Sequence, residues 1–341
     1  MRLSIIIPAY KVEQYIEKCI RSLESQDIPK EDYEIIVTND GSPDRCGDIV
    51  EKLQQEFPNI ILINQQNQGV SMARNNAMAC AKGHYILPID PDDYVVPDTF
   101  SRILSHVESN SIDVMYLGFE IFDANQNAIW HTDYKAQENT IYHGVDGYFV
   151  GRGHGVRDPD RSWGMLYRTA MLREFDINYP KNVPYLEDGL FLSKVFAVAE
   201  KVAFDHQTFY QRTTRKGSAT NSNLFFTDKA LRGFINAIKD IQTFSNDNNL
   251  KDEKAGLINH VVAKFVILFL SPSISKVNIK AYVKGISVLK KAHLAKLNTY
   301  GLRFLYKKHI KMYNFSKLLF PLYFRLTNHP IYLRIFFTRV N

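Results

Sequence analysis

The chain has 341 residues, which is enough for one large domain and a smaller second one. Hydrophobic residues make up 45% and charged residues 23%, a balance that excludes an intrinsically disordered chain. The three cysteines, Cys19, Cys46 and Cys80, form no CxxC pair, so the sequence favours reduced, buried thiols over a disulfide scaffold.

Charge is distributed unevenly along the chain. Residues 254–341 contain 16 Lys and Arg and no Asp or Glu, whereas residues 1–253 carry 26 basic against 36 acidic side chains. Such a block of like charge indicates an anionic partner for the C-terminal region, either a membrane or a nucleic acid. The longest apolar run, around Phe265–Leu270, falls short of the ~18 residues that span a bilayer. The run Ser4–Ile7 is strand-like and too short for a signal peptide.

The first 120 residues alternate short β-rich runs with helical patterns. Strands are predicted at Leu3–Pro8, Tyr33–Thr38, Ile60–Ile63, Tyr85–Ile89 and Ile112–Phe119. This alternation predicts an α/β fold with a mostly parallel sheet flanked by helices. Pro88 lies inside the fourth predicted strand, where it removes a ladder donor, so a bulge is expected there.

The rest of the chain divides at about residue 222. Residues 121–222 are less regular, and from about Leu224 the pattern becomes helical. The sequence therefore predicts an α/β domain over residues 1–222. A basic, aromatic-rich helical region is expected over residues 223–341.

Polar clusters follow three of the predicted strands, at Pro8-Ala9-Tyr10, Asn39-Asp40-Gly41-Ser42 and Asp90-Pro91-Asp92-Asp93. Ligands of such sheets bind at the carboxyl ends of the strands, so one common site is expected. Asp92 and its neighbours suit Mg²⁺ or Mn²⁺, which take one or two carboxylates together with substrate phosphates. Each cluster taken alone also fits an ordinary polar turn.

Three further segments carry polar groups suited to a substrate. Gly69 precedes a helix that carries Arg74, and a glycine at a helix start lets an anionic ligand approach the backbone. Glu187-Asp188 opens a helical run, where ionised carboxylates are stabilised and one of them could act as a general base. Arg212, Arg215 and Ser218 belong to a basic loop fit to hold a diphosphate, or to a solvated charge cluster.

Together these motifs resemble glycosyltransferase family 2, the inverting enzymes of the GT-A fold found in bacterial surface-polysaccharide synthesis. The resemblance runs from the first strand through Asn67-Gln68-Gly69-Val70-Ser71-Met72-Ala73-Arg74-Asn75 to Trp163-Gly164, Glu187-Asp188 and the basic loop, over roughly residues 1–220. The resemblance implies that Asp188 is the catalytic base and that Asp92 binds the metal. It implies that the nucleotide is held by Pro8, Tyr10, Asp40, Gly69, Arg74 and Asp90. The acceptor or donor sugar would contact Trp163, Glu187 and Asp93, and the diphosphate would contact Arg212, Arg215 and Ser218.

The implied reaction is a single displacement that moves a sugar from a nucleotide diphosphate, expected to be UDP, to an acceptor hydroxyl with Mn²⁺ or Mg²⁺ as cofactor. Three alternatives are a sugar-nucleotide pyrophosphorylase, a non-catalytic nucleic-acid-binding protein, and a degenerate transferase that only binds sugars. The first lacks a glycine-rich basic loop after the first strand, where Ala9-Tyr10-Lys11-Val12-Glu13 stands. The acidic body disfavours the second, so no nucleic-acid partner is expected.

The basic tail predicts peripheral binding to an anionic membrane. Residues 301–341 hold eight Lys and Arg, no acid, and ten Phe and Tyr. One predicted helical face carries Leu302, Leu305, Tyr306, Ile310 and Tyr313, and a separate basic stripe carries Arg303, Lys307 and Lys311. This pattern fits either an interfacial helix or a helix packed on the catalytic domain. The first would place the protein on the cytoplasmic face of the plasma membrane, near a lipid-linked glycan acceptor.

Overall fold

The computed structural model describes residues 1–123, 125, 127–134, 136–151, 160–183, 186–213 and 228–328. The chain forms two compact units, the first made of residues 1–181 with 187–222 and the second of residues 182–186 with 223–341. The short stretch 182–186, which the sequence-based boundary put in the first domain, therefore groups with the second unit.

One mixed sheet forms the centre of the first unit. Within the described residues its strands are β1 (Leu3–Ala9), β2 (Tyr33–Asn39), β3 (Ile60–Asn64), β4 (Tyr85–Pro88), β5 (Tyr94–Val95), β6 (Val114–Phe122), β7 (Ala128–His131), β8 (Met165–Arg168) and β9 (Val202–Thr213). Their order is β3-β2-β1-β4-β8-β6-β9-β5, with β7 paired to β6. The pairs β1–β2, β1–β4, β2–β3 and β6–β9 are parallel, whereas β5, β7 and β8 pair antiparallel with their neighbours. The predicted mostly parallel α/β sheet is confirmed.

Helices accompany this sheet along the chain, as the alternating pattern predicts. They are α1 (Ile16–Glu24), α2 (Cys46–Glu56), α3 (Val70–Cys80), α4 (Phe100–Asn110), α5 (Gly144–Val150), α6 (Thr169–Glu174) and α7 (Glu187–Val198). All seven residues of β1 are buried, as expected of a strand covered on both faces. Ile5 and Ile7 lie in the main hydrophobic core together with Ile20 of α1 and Leu104 of α4.

The cysteines follow the predicted pattern only in part. Cys19 and Cys46 are free and buried, but Cys80, the last residue of α3, is exposed. The prediction of a buried thiol is therefore wrong for Cys80, because a residue at a helix end can lie outside the packed face.

The strand that carries the acidic cluster differs from its prediction at Pro88. β4 ends at this proline, and its register with β1 runs without a shift from Leu3↔Tyr85 to Ile6↔Pro88, so the expected bulge is wrong. The ladder tolerates the proline because β8 pairs only with Tyr85 and Ile86 of β4. The N–H of Ile89 then donates to the Ile6 carbonyl at 3.1 Å, which fixes the direction of the chain just before the acidic cluster.

The second unit is helical, as predicted for the C-terminal region. Its described helices are α8 (Asp228–Asp247), α9 (Asp252–Ser275), α10 (Ile279–Lys291), α11 (Phe304–Phe315) and α12 (Phe320–Thr327). Helices α8, α10, α11 and α12 all pack against α9. Among the described helices, α9 is long and apolar enough to cross a bilayer, so the expectation that no segment reaches this length is wrong. Most of its apolar stretch is buried inside the structure, as in the core helix of a helical domain.

The apolar face predicted for the tail points inward. Leu302, Ile310 and Tyr313 are buried. The Tyr313 hydroxyl donates to the Leu294 carbonyl at 2.8 Å. The Tyr306 ring lies 4.6 Å from the His260 ring of α9. The prediction that this face is interfacial is therefore wrong, because it supplies the packing of α11 within the helical unit.

Candidate active site

The predicted polar clusters lie at one edge of the sheet. Because β8 is antiparallel to both β4 and β6, the strands β1 to β4, β6 and β9 all run in one direction. Asp40 follows β2, Asp90 follows β4, and Arg212 lies near the end of β9. Their common edge is the one at which ligands bind in sheets of this type.

At the end of β1, a buried proline is followed by an exposed ring. Pro8 is buried in the strand opposite Thr38 of β2, whereas Tyr10 is 42% exposed. The N–H of Lys11 donates to Ser42 Oγ at 2.8 Å, which ties the loop after β1 to the loop after β2. Tyr10 is thus open to a ligand, while Pro8 shapes the strand end.

Asp40 organises the loop that leads into α3. It is 3% exposed, and its Oδ1 accepts from Gln68 N and Gln65 Nε2, both at 2.7 Å. Its Oδ2 accepts from Gly69 N at 2.8 Å, and its carbonyl accepts from Asn67 Nδ2 at 3.0 Å. A carboxylate offers about four acceptor sites, so most of this capacity is used by the protein itself. The predicted contact of Asp40 with the nucleotide stays a prediction.

Two positions in this region require glycine for different reasons. Gly41 has φ +62°, and a Cβ there would lie 2.9 Å from Asn67 N, so the close approach of two loops requires glycine. Gly69 has φ +87° but no atom within 4 Å of an added Cβ. Its backbone conformation requires glycine, and the space beside it is open at the start of α3.

Arg74 connects two acidic segments of the edge. Its guanidinium is buried, with Nη2 donating to Asp90 Oδ1 at 2.8 Å and Nη1 donating to Asp188 Oδ1 at 3.0 Å. Burial would lower the pKa of Arg74, but Asp188 and other nearby acids raise it above its ordinary value. The side chain therefore stays charged and forms two ion pairs, and its predicted contact with the nucleotide stays a prediction.

Asp188 is held on one side and open on the other. It lies in the first turn of α7, and its Oδ1 also accepts from the buried Ser162 Oγ at 2.7 Å. Both donors contact Oδ1, and among the described residues no protein donor contacts Oδ2. A carboxylate fixed in this way can accept a proton at the remaining oxygen.

Glu187, next in the chain, has an unusual environment. Its Oε2 is buried without a hydrogen-bond partner among the described residues. Burial raises the pKa of Glu187 to about 7, and the Asp188 carboxylate adds to this shift. A buried polar atom without a partner is costly, so Oε2 is suited to receive a hydroxyl of a substrate.

The acidic cluster after β4 divides into an anchor and a more accessible part. Asp93 is buried, with Oδ2 accepting from Tyr210 Oη at 2.6 Å and Oδ1 from Thr213 N at 2.8 Å. Asp93 therefore has an anchoring role, and its predicted contact with a sugar stays a prediction. Burial raises the pKa of Asp90 to about 6, opposed by Arg74 and reinforced by Asp92. Carboxylates that repel each other in this way suit a divalent cation.

The described residues do not supply a complete set of metal ligands. Within the described residues no group of three His, Cys, Asp or Glu side chains converges on one point. Mg²⁺ and Mn²⁺ are commonly held by one or two carboxylates plus substrate phosphates, so Asp92 with Asp90 fits such an ion without further protein ligands.

The remaining predicted residues differ in how the structure describes them. Trp163 is 8% exposed and stacks on Tyr210 at 4.6 Å, so most of its ring is core. The guanidinium of Arg212 lies 5.8 Å from the centre of the Trp163 ring. Arg215 and Ser218 lie outside the described residues, and their diphosphate role stays a prediction.

Sequence reasoning assigned no role to the residues that hold the acidic segments together. Asn75 Nδ2 donates to the Tyr179 carbonyl at 2.8 Å, and Tyr179 N donates to Asn75 Oδ1 at 2.8 Å. The Arg74 guanidinium lies 5.0 Å from the centre of the Tyr179 ring. Asn75 adjoins Arg74 and Ser162 adjoins Trp163, so proximity to recognised motifs was the available signal.

Another depression lies elsewhere on the first unit. It has a volume of about 460 Å³ and is lined by residues that include Lys82, His84 and Arg173, at the start of β4 and the end of β8. This is the edge of the sheet opposite the carboxylates. Arg173 already donates to the Ala81 carbonyl at 2.5 Å, and we assign the depression no catalytic role.

Known proteins share this sequence pattern. The family model described as Glycosyl transferase family 2 matches residues 4–175, just over half of the chain. EpsJ of Bacillus subtilis, named an uncharacterized glycosyltransferase, is 32% identical over 208 residues, covering 61% of this chain and 59% of EpsJ. TarS of Staphylococcus aureus, named a poly(ribitol-phosphate) beta-N-acetylglucosaminyltransferase, is 28% identical over 226 residues, covering 65% of this chain and 37% of TarS. The chain thus spans less than two thirds of the length of these relatives.

Solved structures share the fold. A crystal structure of S. aureus TarS 1–349 in complex with UDP-GlcNAc matches with TM-score 0.70 and 21% identity, over 97% of this chain and 93% of that one. GalNAc-T7 with UDP, GalNAc and Mn²⁺ matches with TM-score 0.56 and 11% identity, over 81% of this chain and 57% of that one. At these identities the two structures establish the architecture.

The environment of Glu187 predicts a pH-dependent stability. Because the pKa rises from 4.5 to about 7 on folding, the folded state favours the neutral form, and this contribution is complete below pH 4.5 and lost as pH rises through about 7. We expect wild type to lose stability relative to Glu187→Gln between about pH 5 and pH 8, measured by urea unfolding. Glu51→Gln, at an exposed position of α2, should give the same difference from wild type at both pH values. A Glu187→Gln difference that does not change with pH would contradict this assignment.

Proposed function

The chain belongs to glycosyltransferase family 2, and we propose that it transfers a sugar from a nucleotide diphosphate to an acceptor hydroxyl with inversion at the anomeric carbon. The observation that carries the proposal is the geometry of Asp188. One of its oxygens is held by Arg74 and Ser162, while the other is open at the edge of the sheet. Asp90 and Asp92 lie at the same edge, where a donor would bind.

Asp188 is the proposed general base. Arg74 and Ser162 both donate to Oδ1, which fixes the plane of the carboxylate. Oδ2 would then take the proton of the acceptor hydroxyl. The hydroxyl oxygen would bond to the anomeric carbon while the bond between that carbon and the nucleotide diphosphate breaks. The buried surroundings of Arg74 limit access of water, whose attack on the donor would compete with transfer.

The donor nucleotide is proposed to be UDP. The open ring of Tyr10 and the open space beside Gly69 would receive the base and ribose. Arg212 would contact the diphosphate, and the unpaired Oε2 of Glu187 would accept from a hydroxyl of the donor sugar. The complex of the structurally similar TarS with UDP-GlcNAc supports this choice of nucleotide.

Asp92, with Asp90, would hold the proposed Mn²⁺ or Mg²⁺ ion. When bound, such an ion offsets the negative charge of the nucleotide diphosphate. Arg212 and the predicted loop residues Arg215 and Ser218 would contribute further contacts to the same charge.

The acceptor is proposed to be a cell-surface glycan or its lipid-linked precursor. The name of TarS, which refers to poly(ribitol-phosphate), and its sequence similarity to this chain support a polymeric acceptor. The transferred group is proposed to be a hexose or an N-acetylhexosamine. A non-catalytic sugar-binding protein is the alternative, and the open oxygen of Asp188 favours the enzyme.

A surface of α11 supports peripheral binding to the cytoplasmic face of the membrane. Phe304 is 70% exposed and Phe315 is 78% exposed, and Lys307, Lys308 and Lys311 are exposed between them. These five residues lie at positions i, i+3, i+4, i+7 and i+11 and form one side of the helix, here called the outer face of α11. An interfacial helix presents such a combination of basic and aromatic side chains to anionic lipid.

Exposed apolar side chains also occur in the residues that follow α11. Leu318, Leu319, Leu322 and Leu326 are 48% to 87% exposed. Each lysine near an anionic membrane contributes about 1 kcal/mol, and exposed Phe and Leu side chains add apolar burial. The partner of this surface is therefore proposed to be an anionic lipid bilayer that carries the acceptor.

Two variants separate donor binding from catalysis. Asp92→Ala should weaken Mn²⁺-dependent UDP binding in calorimetry and abolish transfer, as EDTA should in wild type. Asp188→Asn should bind UDP and Mn²⁺ nearly as wild type does but lower kcat by about 10²-fold or more, because an amide cannot take the proton. The matched control is Glu51→Gln, an exposed acid on α2, which should leave both quantities unchanged.

Full transfer activity of wild type in excess EDTA would reject the proposed requirement for a metal ion. Normal turnover of Asp188→Asn together with an inactive Glu187→Gln would move the base to Glu187. Absence of UDP binding by wild type would reject the donor.

Membrane binding is tested by sedimentation with vesicles of phosphatidylglycerol and phosphatidylcholine. We expect binding at low salt and at least partial release at high salt, because surface charge is screened. Two variants should each reduce vesicle binding. They are the double substitution Phe304→Ala/Phe315→Ala and the triple substitution Lys307→Gln/Lys308→Gln/Lys311→Gln. Point substitutions are suitable because removal of α11 would also remove the buried Ile310 and Tyr313.

The control is Ile279→Ala/Val283→Ala, a pair on α10 that is 72% and 60% exposed. It should bind vesicles as wild type does, and an equal loss there would show that the outer face of α11 is not the contact. Failure of the intact protein to bind anionic vesicles at low salt would reject the membrane proposal.

A further inference from the structure

The hairpin of β6 and β7 presents an exposed tryptophan beside the active-site edge. β6 runs toward the carboxyl edge of the sheet, and β7 returns antiparallel to its last residues. Trp130 of β7 is 48% exposed, with its ring centre 5.0 Å from that of Phe119. The rest of the indole surface is open, and Trp130 has no role in the mechanism derived above.

Packed rings connect Trp130 with the acidic cluster. Phe119 meets Trp163 edge-on at 5.0 Å, and Trp163 stacks on Tyr210 at 4.6 Å. The Tyr210 hydroxyl donates to Asp93 and accepts from the backbone N–H of Asp90 at 3.2 Å. The position of Trp130 is thus fixed relative to Asp90 by a continuous row of packed side chains.

The strand register places Trp130 and Arg212 on one face of the sheet. Trp130 lies opposite Ile121 of β6, and Ile121 lies opposite Arg212 of β9. Directly opposed residues point to the same side, so the two side chains are separated by two strand spacings, about 10 Å. With a donor diphosphate at Arg212, this distance leaves room for the transferred sugar before the indole is reached.

We propose that Trp130 is a platform on which a pyranose ring of the acceptor glycan stacks. The inference rests on the proposed function and adds the chemical class of the acceptor. A flat indole with a polar N–H at its rim suits a ligand with an apolar C–H face and hydroxyls around it, which describes a pyranose. An open-chain polyol phosphate has no such face and would gain little from the ring.

The chain contains two tryptophans, which makes the proposal testable by fluorescence. The probes are β-1,4-linked trisaccharides of glucose and of N-acetylglucosamine, added in the presence of UDP and Mn²⁺. We expect a saturable change in emission for wild type with at least one trisaccharide. Trp130→Phe, which retains the largely buried Trp163, should show no change. Ribitol 5-phosphate should leave the wild-type emission unaltered.

Calorimetry with the responding trisaccharide supplies the second measurement. Trp130→Ala should bind it at least about tenfold more weakly, a change that corresponds to 1.4 kcal/mol. Ile129→Ala removes the neighbouring side chain of the same strand, which is 60% exposed, and should bind normally. UDP binding should be equal in all three proteins.

Several results would overturn the proposal. These are the absence of a saturable change with both trisaccharides, the same change in Trp130→Phe, or a response to ribitol 5-phosphate in place of the sugars. Wild-type emission that changes on dilution, with dimers in size-exclusion chromatography that Trp130→Ala abolishes, would identify a second copy as the occupant. Normal UDP binding in any of these cases would leave the proposed donor site intact, whereas its absence would reject the proposed function itself.

Discussion

A buried cation between two carboxylates holds the active-site edge together. Arg74 of α3 pairs with Asp90, which follows β4, and with Asp188 at the start of α7. Three segments that are distant in sequence thereby meet at one guanidinium. Asn75 adds two hydrogen bonds to the backbone of Tyr179, so the segment before α7 is also fixed to α3. Without the cation, Asp90 and Asp188 would face each other as like charges in a poorly solvated place.

This arrangement separates carboxylates that anchor the protein from those that can meet a substrate. Asp40 and Asp93 use their oxygens to fix loops, the first with backbone N–H groups before α3 and the second with Tyr210 and Thr213. Asp188 and Glu187 each keep one oxygen without a protein donor among the described residues. The same residue type therefore serves two purposes, and the hydrogen bonds around each carboxylate determine which purpose it serves.

The sheet and the edge where the polar clusters meet could be predicted, because buried strands and helices have distinct periodicities and the carboxyl ends of parallel strands converge. The pairing of Arg74 with Asp188 could not be predicted, since Asp188 lies 114 positions away and their contact depends on packing across the fold. The register that puts Trp130 opposite Ile121 is likewise set by strand pairing. In the tail, amphipathic spacing identified the two sides of α11 but not which side is buried. Tyr313 and Ile310 pack inside the helical unit, and Phe304 and Phe315 remain exposed.

The unfolding free energy of Arg74 variants tests the central ion pair most directly. Arg74→Met leaves two carboxylates without their cation and should lower the free energy of unfolding by about 3–5 kcal/mol. Adding Asp90→Asn and Asp188→Asn should recover a large part of this loss, because the uncompensated charges are removed. Arg45→Met, at a side chain that is 79% exposed, is the matched control. If Arg74→Met costs no more than about 0.5 kcal/mol, as an ordinary surface substitution does, Arg74 does not hold the site together.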